Sequence, residues 1–383
     1  MWRTHRMIRN LFSTKIIHSP KRAFTFAPVM NTNPSSRPVA IWLLVGVFMI
    51  MVQVLLGGIT RLTGSGLSIT EWKPILGALP PMNEHDWQTA FDKYKQIGQY
   101  KFLNPHFNIE DFKSIYFWEW LHRNWARFIG LVFAIPFVIF IIQKKFKKEM
   151  INPLFILFIL GTLQGLIGWI MVASGLNDEN IYVNHIRLAI HFISALGLLC
   201  YTFWFALQLL IPSQQVTINP PLRKFTWLIV LVLIIQLIYG AFMAGHKAAT
   251  VSPTWPDMNG YILPPNLFKE NSWLSNFTEN KLMVQFIHRG LAYLLFVLIA
   301  VWTWKAFKHQ SSLLLNKTKW IPIALVFLQV VLGVLTVISS TKIIPQQWGV
   351  FEWMAQLHQL VAMFLLISLV WMLYLIRSKQ KGA

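Results

Sequence analysis

Apolar residues are concentrated in eight long segments of the chain, and polar stretches separate these segments. Each segment is close to the roughly 20 residues that an α-helix needs to cross a bilayer. The predicted spans cover about residues 38–60, 116–142, 152–174, 184–211, 225–245, 282–304, 320–340 and 353–376. We therefore expect an all-α polytopic membrane protein with eight transmembrane helices.

The two halves of this apolar pattern repeat each other. Gln164 and Gly168 recur in the second half as Gln329 and Gly333, with the same spacing and the same offset. An internal repeat indicates that one structural unit occurs twice, so we expect two pseudo-twofold four-helix bundles. The predicted units are a basic N-terminal segment (1–37), an N-terminal four-helix half (38–211), a C-terminal four-helix half (225–376) and a cytoplasmic tail (377–383).

Composition supports a membrane protein and argues against a nucleic-acid-binding protein. The chain has 383 residues, of which 55% are hydrophobic and 13% charged, and its formal net charge is +20. The basic residues lie mainly in the N-terminal segment, in short loops and in the tail. This distribution follows the positive-inside rule, and it argues against a nucleic-acid-binding surface.

Basic clusters after the second, fourth, sixth and eighth spans set the expected orientation. They place both chain termini on the cytoplasmic side, or the matrix side of a mitochondrion. The clusters are Lys144, Lys145, Lys147 and Lys148; Arg223 and Lys224; Lys305, Lys308, Lys317 and Lys319; and Arg377, Lys379 and Lys381. The Pro-rich loops 61–115 and 246–281 then lie outside, where we expect short helices and turns to cover the outer face.

The first acidic residue of the chain is Glu71, so the basic N-terminal segment contains no acid. An Arg-rich, acid-free start is typical of a mitochondrial transit peptide. The alternatives are a basic cytoplasmic tail and a true start at Met30. The expected location is a bacterial cytoplasmic membrane, or the mitochondrial inner membrane if the segment is a transit peptide.

Each even-numbered span carries a histidine within its apolar stretch: His122, His191, His288 and His358. Each lies about five to seven residues inside the outer end of its predicted span. The separation of His122 from His288 matches that of His191 from His358 to within one position. A single such histidine is commonly a hydrogen-bonded structural residue. Four repeated ones at one depth indicate ligands, because an unpartnered imidazole in a bilayer costs free energy.

The histidines pair within the halves, His122 with His191 and His288 with His358. Each pair has no set of carboxylates or thiolates beside it to complete a zinc or copper site, whereas haem supplies four nitrogen ligands of its own. The only cysteine, Cys200, lies inside a span, so an intrachain disulfide is excluded. We expect one haem between the two imidazoles of each half.

One carboxylate distinguishes the halves. Glu119 precedes His122 by three residues on the same helix face, and it is the only carboxylate well inside a predicted span. The equivalent residue before His288 is Gln285. Glu119 is either a structural residue, paired with Arg123 or a neighbouring helix, or a group beside the haem edge that accepts a proton or stabilises positive charge.

Three arginines lie near the histidines, and other histidines lie outside the spans. Arg123, Arg187 and Arg289 are candidates for contact with anionic haem propionates. The alternative, strongest for Arg289, is an arginine that reaches the membrane interface. The remaining candidates, His85, His106, His185 and His246, fall in loops or at their edges, where we expect solvated residues or residues of the outer cover.

Five segments resemble, in the same order, the signatures of the heme A synthase family. They are GGITRLTGSGLSITEWKPILGALPP, EWLHR, RLAIH, AGHKAATVSPTWPDM and QFIHR, and the resemblance extends over about residues 38–376. The resemblance implies an eight-helix pseudo-twofold protein with a haem site in each half. It implies haem b on His288 and His358. It implies the substrate, haem o, between His122 and His191, with Glu119 as the catalytic carboxylate.

The resemblance also implies a reaction and its partners. One methyl group of haem o would be oxidised to a formyl group through successive hydroxylations, giving haem a for cytochrome oxidase. A membrane electron acceptor and heme O synthase are the implied partners. Some members carry a cysteine pair in the first outer loop; this chain has none, so it resembles the cysteine-free type, without thiol-dependent electron delivery. A bis-histidine iron has no open position for O₂, so electron removal with water as the oxygen source is our hypothesis.

Two other functions use the same four histidines. A di-haem b electron-transfer cytochrome linked to quinone needs the histidines, but it gives no reason for a carboxylate in one half alone. A haem transporter or chaperone needs an exit path and should tolerate the loss of Glu119. Analysis of the bound haems separates the three, because an electron carrier would hold only haem b.

Overall fold

The computed structural model describes residues 36–73 and 76–378, and the N-terminal segment before Ser36 and the end of the tail lie outside these residues. The described residues form eleven α-helices. They are α1 (Arg37–Leu62), α2 (Glu84–Tyr94), α3 (Gly98–Phe102), α4 (Ile109–Ile142), α5 (Lys148–Ala173), α6 (His185–Leu210), α7 (Pro220–Gly245), α8 (Lys281–Lys308), α9 (Leu313–Thr318), α10 (Ile321–Ser339) and α11 (Val350–Leu375).

Eight stretches in the described residues are long and apolar enough to cross a membrane, which confirms the predicted number. They are α1, α4, α5, α6, α7, α8, the pair α9 and α10, and α11. The seventh span runs from Leu313 to Lys342 and starts earlier than predicted. Pro322, in the first turn of α10, separates its two helices, because proline lacks the N–H that a continuous helix would need there.

The start of α4 differs most from the prediction. Asn108 caps this helix by accepting hydrogen bonds from the N–H groups of Glu110 and Asp111, and the Asp111 carboxylate accepts from the Asn108 N–H. This capping box starts the helix in a polar segment, two turns before the apolar run. His122 is therefore thirteen residues beyond the first residue of its helix, because the helix starts seven residues before the predicted span at position 116.

The other three histidines keep a nearly uniform offset from their helix starts. His191 is six residues beyond the first residue of α6, and His288 is seven beyond that of α8. His358 is eight residues beyond the first residue of α11, one more than predicted. The exception of His122 thus reflects the polar extension of α4.

Helix packing within each half and between the halves brings the histidine helices together. In the N-terminal half, α1 contacts α4 and α6, and α5 contacts α6. In the C-terminal half, α7 contacts α8 and α11, and α10 contacts α11. Between the halves, α6 contacts α7 and α11, and α1 contacts α11. The largest cluster of buried apolar residues lies at this seam and includes Leu199, Ile229, Ile299, Trp302 and Leu369.

The first long loop folds into the two short helices α2 and α3, as predicted for this segment. Phe91 and Tyr94 of α2 pack against Phe112 at the start of α4. Burial raises the pKa of Tyr94 to about 12, and its hydroxyl accepts a hydrogen bond from the Asn104 amide and donates one to Gln99. These contacts hold the loop over one end of the N-terminal half.

Two short strands, which the sequence did not predict, join the halves at the opposite end. Residues Thr217–Ile218 form β1 and pair in parallel with β2, Ile376–Arg377. The strand β2 follows α11 directly, so the eighth span ends at Leu375.

Candidate haem sites

The histidines of the N-terminal half lie against glycines of neighbouring helices. A Cβ atom added to Gly57 of α1 would lie 3.3 Å from Nε2 of His122, and one added to Gly168 of α5 would lie 2.8 Å from Cε1 of His191. The Gln53 amide donates to the His122 carbonyl oxygen at 3.2 Å. Glycine is needed at position 168 in particular, because a side-chain carbon so close to the ring would displace the imidazole.

The C-terminal half has the same arrangement. A Cβ atom on Gly240 of α7 would lie 3.4 Å from Cε1 of His288, and one on Gly333 of α10 would lie 3.0 Å from Cε1 of His358. The Gln236 amide nitrogen is 3.5 Å from Nε2 of His288. Each odd-numbered span therefore presents a glycine to the histidine of the following even-numbered span.

The same spacing of glutamine and glycine occurs in all four odd-numbered spans. A glutamine precedes the glycine by four residues each time, so both lie on one helix face. The pairs are Gln53 with Gly57, Gln164 with Gly168, Gln236 with Gly240, and Gln329 with Gly333. Two of these pairs, Gln164 with Gly168 and Gln329 with Gly333, were predicted as repeat positions; the other two were not, although all four share the Q-x-x-x-G pattern.

His288 and His358 face each other across the C-terminal half, as expected for a ligand pair. Their ring centroids are 6.3 Å apart and their planes are inclined by 69°. An imidazole nitrogen binds a transition metal at about 2.0–2.1 Å, which puts the ring centres of two axial ligands about 6 Å apart. Nδ1 of His288 is buried and has no hydrogen-bond partner among the described residues. The spacing of the two rings fits a bis-imidazole haem.

The protonation of His358 suits metal ligation. Its Nδ1 lies 3.1 Å from the carbonyl oxygen of Gln329, which can only accept, so Nδ1 carries the proton. Nε2 is then the unprotonated nitrogen, and it accepts a hydrogen bond from the Gln329 amide at 3.2 Å. A ligating histidine usually donates its other N–H to such a carbonyl.

His191 has the opposite arrangement. The Ser194 hydroxyl donates to Oε1 of Gln164 at 2.6 Å, which turns the amide nitrogen of Gln164 toward Nδ1 of His191 at 3.1 Å. The same amide nitrogen donates to the His191 carbonyl oxygen at 3.0 Å. With Nδ1 as an acceptor, a neutral imidazole carries its proton on Nε2.

Glu119 lies in a set of four hydrogen-bond donors. Arg123 donates to Oε1 from Nε at 3.0 Å and from Nη2 at 2.6 Å. The Ser68 hydroxyl and the Ile69 N–H each donate to Oε2 at 2.8 Å. The residue is 2% exposed. The pairing with Arg123 that the structural interpretation of Glu119 expected is therefore present, and the outer loop supplies the remaining two donors, as a buried anion requires.

Arg123 also fastens the first outer loop to α4. Its Nη2 donates to the Ile69 carbonyl at 2.9 Å and its Nη1 to the Glu71 carbonyl at 3.0 Å. The ammonium groups of Lys73 and Lys93 hold the pKa of the Glu71 carboxyl below its usual range. Arg123 thus binds Glu119 and the loop together in this structure.

The equivalent position in the C-terminal half contains an amide without a charge. Gln285 is fully buried, and its amide donates to the Ser252 carbonyl at 2.9 Å, while its Oε1 has no hydrogen-bond partner in the described part of the chain. Arg289 donates to the same carbonyl at 2.7 Å and to that of Asp257 at 2.9 Å. Arg187 donates to the Ile170 carbonyl at 3.1 Å.

Comparison with known proteins identifies the family. The profile of a family described as cytochrome oxidase assembly protein matches residues 40–370. The chain belongs to this family, that of the heme A synthases. It is 40% identical over 344 residues to the heme A synthase of Flavobacterium psychrophilum, covering 89% of this chain and 98% of that protein. The heme A synthase of Parvibaculum lavamentivorans is 39% identical over 343 residues, 90% of this chain and 95% of that protein.

Two of the histidines expected at loop edges lie against each other. His185, the first residue of α6, and His246, at the end of α7, have ring centroids 4.0 Å apart, and the His185 side chain is only 11% exposed. His106, by contrast, lies in the outer loop, where its Nε2 is 3.0 Å from the Gln346 amide nitrogen. Glu352 is a second buried carboxylate; it accepts the Gly349 N–H at the start of α11.

Proposed function

We propose that this protein is a heme A synthase, which oxidises a methyl group of haem o to a formyl group and so produces haem a for cytochrome oxidase. The conversion removes electrons and protons from the methyl carbon and adds an oxygen atom, for which we propose water as the source. Membership of the heme A synthase family supports the reaction. The observation that carries it is Glu119, a buried carboxylate with four donors, beside the histidine pair of one half only.

The two histidine pairs have different roles in this proposal. His288 and His358 hold haem b, which supplies electron transfer when bound, and His122 and His191 hold the substrate haem o. The spacing of His288 and His358 and the Nδ1–H of His358, which donates to the Gln329 carbonyl, support a permanently bound cofactor. Nδ1 of His191 accepts from Gln164, which supports a weaker ligand and hence an exchangeable haem.

Glu119 places a fixed negative charge beside the substrate. Arg123, Ser68 and Ile69 hold both carboxylate oxygens, so the side chain cannot turn away from the interior without losing hydrogen bonds. In this position the carboxylate stabilises positive charge that develops at the edge of the substrate. Before the Glu119 carboxylate can accept a proton from attacking water, one of the four hydrogen bonds that it accepts must break.

The proposed architecture is a pair of four-helix halves related by a pseudo-twofold axis. Exchange of α1 with α7, α4 with α8, α5 with α10 and α6 with α11 turns the contacts of α1 with α4, of α1 with α6 and of α5 with α6 into contacts of the other half, whereas the contact of α8 with α10 has no counterpart of similar size. The contact of α6 with α7 becomes the contact of α1 with α11. The basic loops support an orientation with both termini on the cytoplasmic or matrix side.

We propose that the protein is a heme A synthase of the cysteine-free type, which lacks the cysteine pair in the first outer loop. Cys200 lies within α6, away from the outer loops, so electrons leave the substrate without a thiol relay. A membrane electron acceptor receives them, and heme O synthase supplies the substrate.

The test is conversion of haem o in a host that makes haem o and lacks haem a. Membranes that contain the full chain are extracted, and the haems are separated by chromatography. We expect haem a to appear and the purified protein to retain haem b. A protein with haem b alone is an electron carrier, and one that carries unchanged haem o is a transporter. Either result overturns the proposal.

The orientation has its own test. A reporter fused after Lys148 should be cytoplasmic, and one inserted near Asn266 should be external. The reverse pattern would contradict the proposed orientation and leave the reaction untouched.

A further inference from the structure

Three potential metal ligands from separate elements meet at one end of the seam between the halves. They are His185 at the start of α6, His246 at the end of α7, and Glu279 in the loop before α8. One ligand atom from each residue lies within 4.8 Å of the other two. Among the described residues, no hydrogen bond, ion pair or ring contact joins these three to the haem-ligand histidines, and the proposed reaction does not use them.

The orientation of each imidazole leaves a nitrogen free for a metal ion. Nε2 of His246 lies 2.6 Å from the carbonyl oxygen of Thr278, which can only accept, so Nε2 carries the proton and Nδ1 keeps its electron pair. This is the outer hydrogen bond that a metal-bound histidine usually makes. Nε2 of His185 is buried and makes no hydrogen bond within the described part of the chain.

The local backbone brings the two histidines close. A Cβ atom added to Gly245 would lie 2.6 Å from Cβ of His185, so only glycine permits this approach of α6 to α7. Asn184 caps α6 by accepting the N–H groups of Ile186 and Arg187, which fixes His185 at the first position of the helix. The nearby Lys247 points away, because its ammonium group donates to the Tyr182 hydroxyl at 2.8 Å.

The distances and the donor types select the class of ion. Nε2 of His185 is 3.4 Å from Oε1 of Glu279. Zinc binds nitrogen and carboxylate oxygen at about 2.0–2.2 Å, so two ligands of a tetrahedral site are about 3.4 Å apart. Two imidazoles and one carboxylate suit zinc and its neighbours, whereas Ca²⁺ and Mg²⁺ prefer oxygen ligands throughout.

We propose that His185, His246 and Glu279 form a binding site for a divalent first-row transition-metal ion, which fastens the two halves at this end of the seam. His185 belongs to the N-terminal half, and the other two ligands belong to the C-terminal half. A cavity of about 340 Å³, with Glu279, Lys269 and Lys281 on its walls, adjoins the site. Water from this cavity completes the coordination, since the side chain of Glu279 is 47% exposed.

The experiment uses the full-length, haem-loaded protein after treatment with a chelator, so that the haem-ligand histidines are already occupied. Titration with Co²⁺ should give one tightly bound ion per chain with the strong visible bands of tetrahedral cobalt, and Zn²⁺ should displace it. Zn²⁺ should also raise the Tm, because an ion that binds only the folded state stabilises it. Absence of a bound ion, or a weak octahedral spectrum, overturns the proposal.

Variants locate the ion. His246→Ala and Glu279→Gln should each abolish the cobalt bands and the Zn²⁺-dependent rise in Tm, whereas the matched control His106→Ala should keep both. Glu279→Gln keeps the size of an exposed side chain, so it remains informative if a histidine variant does not fold. Unchanged cobalt bands in folded Glu279→Gln and His246→Ala would place the ion elsewhere and refute the site. Haem a formation, measured in the same samples, reports on the proposed reaction separately.

Discussion

In both halves a glycine of a neighbouring helix lies against each histidine, but different loops cover the two halves. In the N-terminal half, Ser68 and Ile69 supply a hydroxyl and an N–H to the Glu119 carboxylate. In the C-terminal half, Ser252 and Pro253 occupy the corresponding loop above Gln285. Pro253 has no N–H, whereas the Ser252 hydroxyl has no hydrogen-bond partner in the described part of the chain and is available as a donor. A buried carboxylate at position 285 would therefore lack the backbone N–H that Ile69 donates to Glu119.

The presence of a buried carboxylate in a half thus depends on the donors that the loop of that half supplies. A buried charge needs several hydrogen bonds, and removal of its partners lowers the stability of the fold by several kcal/mol. The half with an N–H at position 69 carries the charge, and the half with proline at position 253 carries an amide. This difference supports reaction in one half and stable cofactor binding in the other.

The largest effect should come from loss of an axial ligand in the cofactor half. His288→Ala should remove bound haem b, because the iron would lose one of its two protein ligands. Reduced-minus-oxidised spectra of the purified protein should lack the low-spin b signal. His122→Ala is the matched control and should keep that signal while losing haem o conversion. A full low-spin b signal in His288→Ala would contradict the division of roles between the halves.

The next effect is on the reaction itself. Glu119→Gln copies the Gln285 of the other half and removes the charge with little change in volume. Haem content should be preserved, while haem o conversion should fall about 10²–10⁴-fold, the usual range for a positioned acid–base group. Chromatography of extracted haems, with haem b measured in the same sample, gives both values. Near-normal haem a from a fully loaded variant would leave Glu119 a structural residue and favour the electron carrier.

Much of this comparison was predictable from the sequence. The eight spans follow from apolar runs, since a bilayer imposes a minimum length on each helix. The difference between Glu119 and Gln285 follows from the fixed offset of the repeat. Those features depend on residues that are close in sequence or equally spaced, which is why spacing alone reveals them.

The remaining features depend on contacts between distant residues. Gln53 is further from its counterpart Gln236 than Gln164 is from Gln329, because the first outer loop is longer than the second. One fixed sequence offset between the halves therefore aligns Gln164 with Gln329 but does not align Gln53 with Gln236. The donors to Glu119 come from a loop far away in the sequence, and the meeting of His185, His246 and Glu279 needs three elements to pack.

A smaller effect should follow from removal of one loop donor. Ser68→Ala deletes the hydroxyl that donates to Oε2 of Glu119 and leaves Ile69 and Arg123 in place. A hydrogen bond to a charged group contributes about 1.5–3 kcal/mol, so conversion should fall by about tenfold or more. Ser252→Ala is the control, because its hydroxyl has no partner in the described residues. Equal losses in the two variants would show that the serines serve loop packing.

The smallest effect concerns ligand exchange at His191. The Ser194 hydroxyl holds the Gln164 amide so that its nitrogen faces Nδ1 of His191. Iron binding at Nε2 requires the imidazole proton to move to Nδ1, and then the amide must turn. The turn breaks the bond from Ser194 to Oε1 of Gln164 and the bond from the amide nitrogen to the His191 carbonyl. Ser194→Ala removes the first of these two bonds. One neutral hydrogen bond contributes about 0.5–1.5 kcal/mol, so we expect release of haem from the N-terminal half to slow by roughly two- to tenfold.

The C-terminal half offers the reverse substitution. It has Val361 at the position that corresponds to Ser194, and Val361→Ser should weaken haem b retention by a similar factor. Transfer of haem to a haem-free globin measures both rates. If Ser194→Ala instead releases haem faster, the serine supports His191 as a ligand, and the proposed weakness of that ligand is wrong.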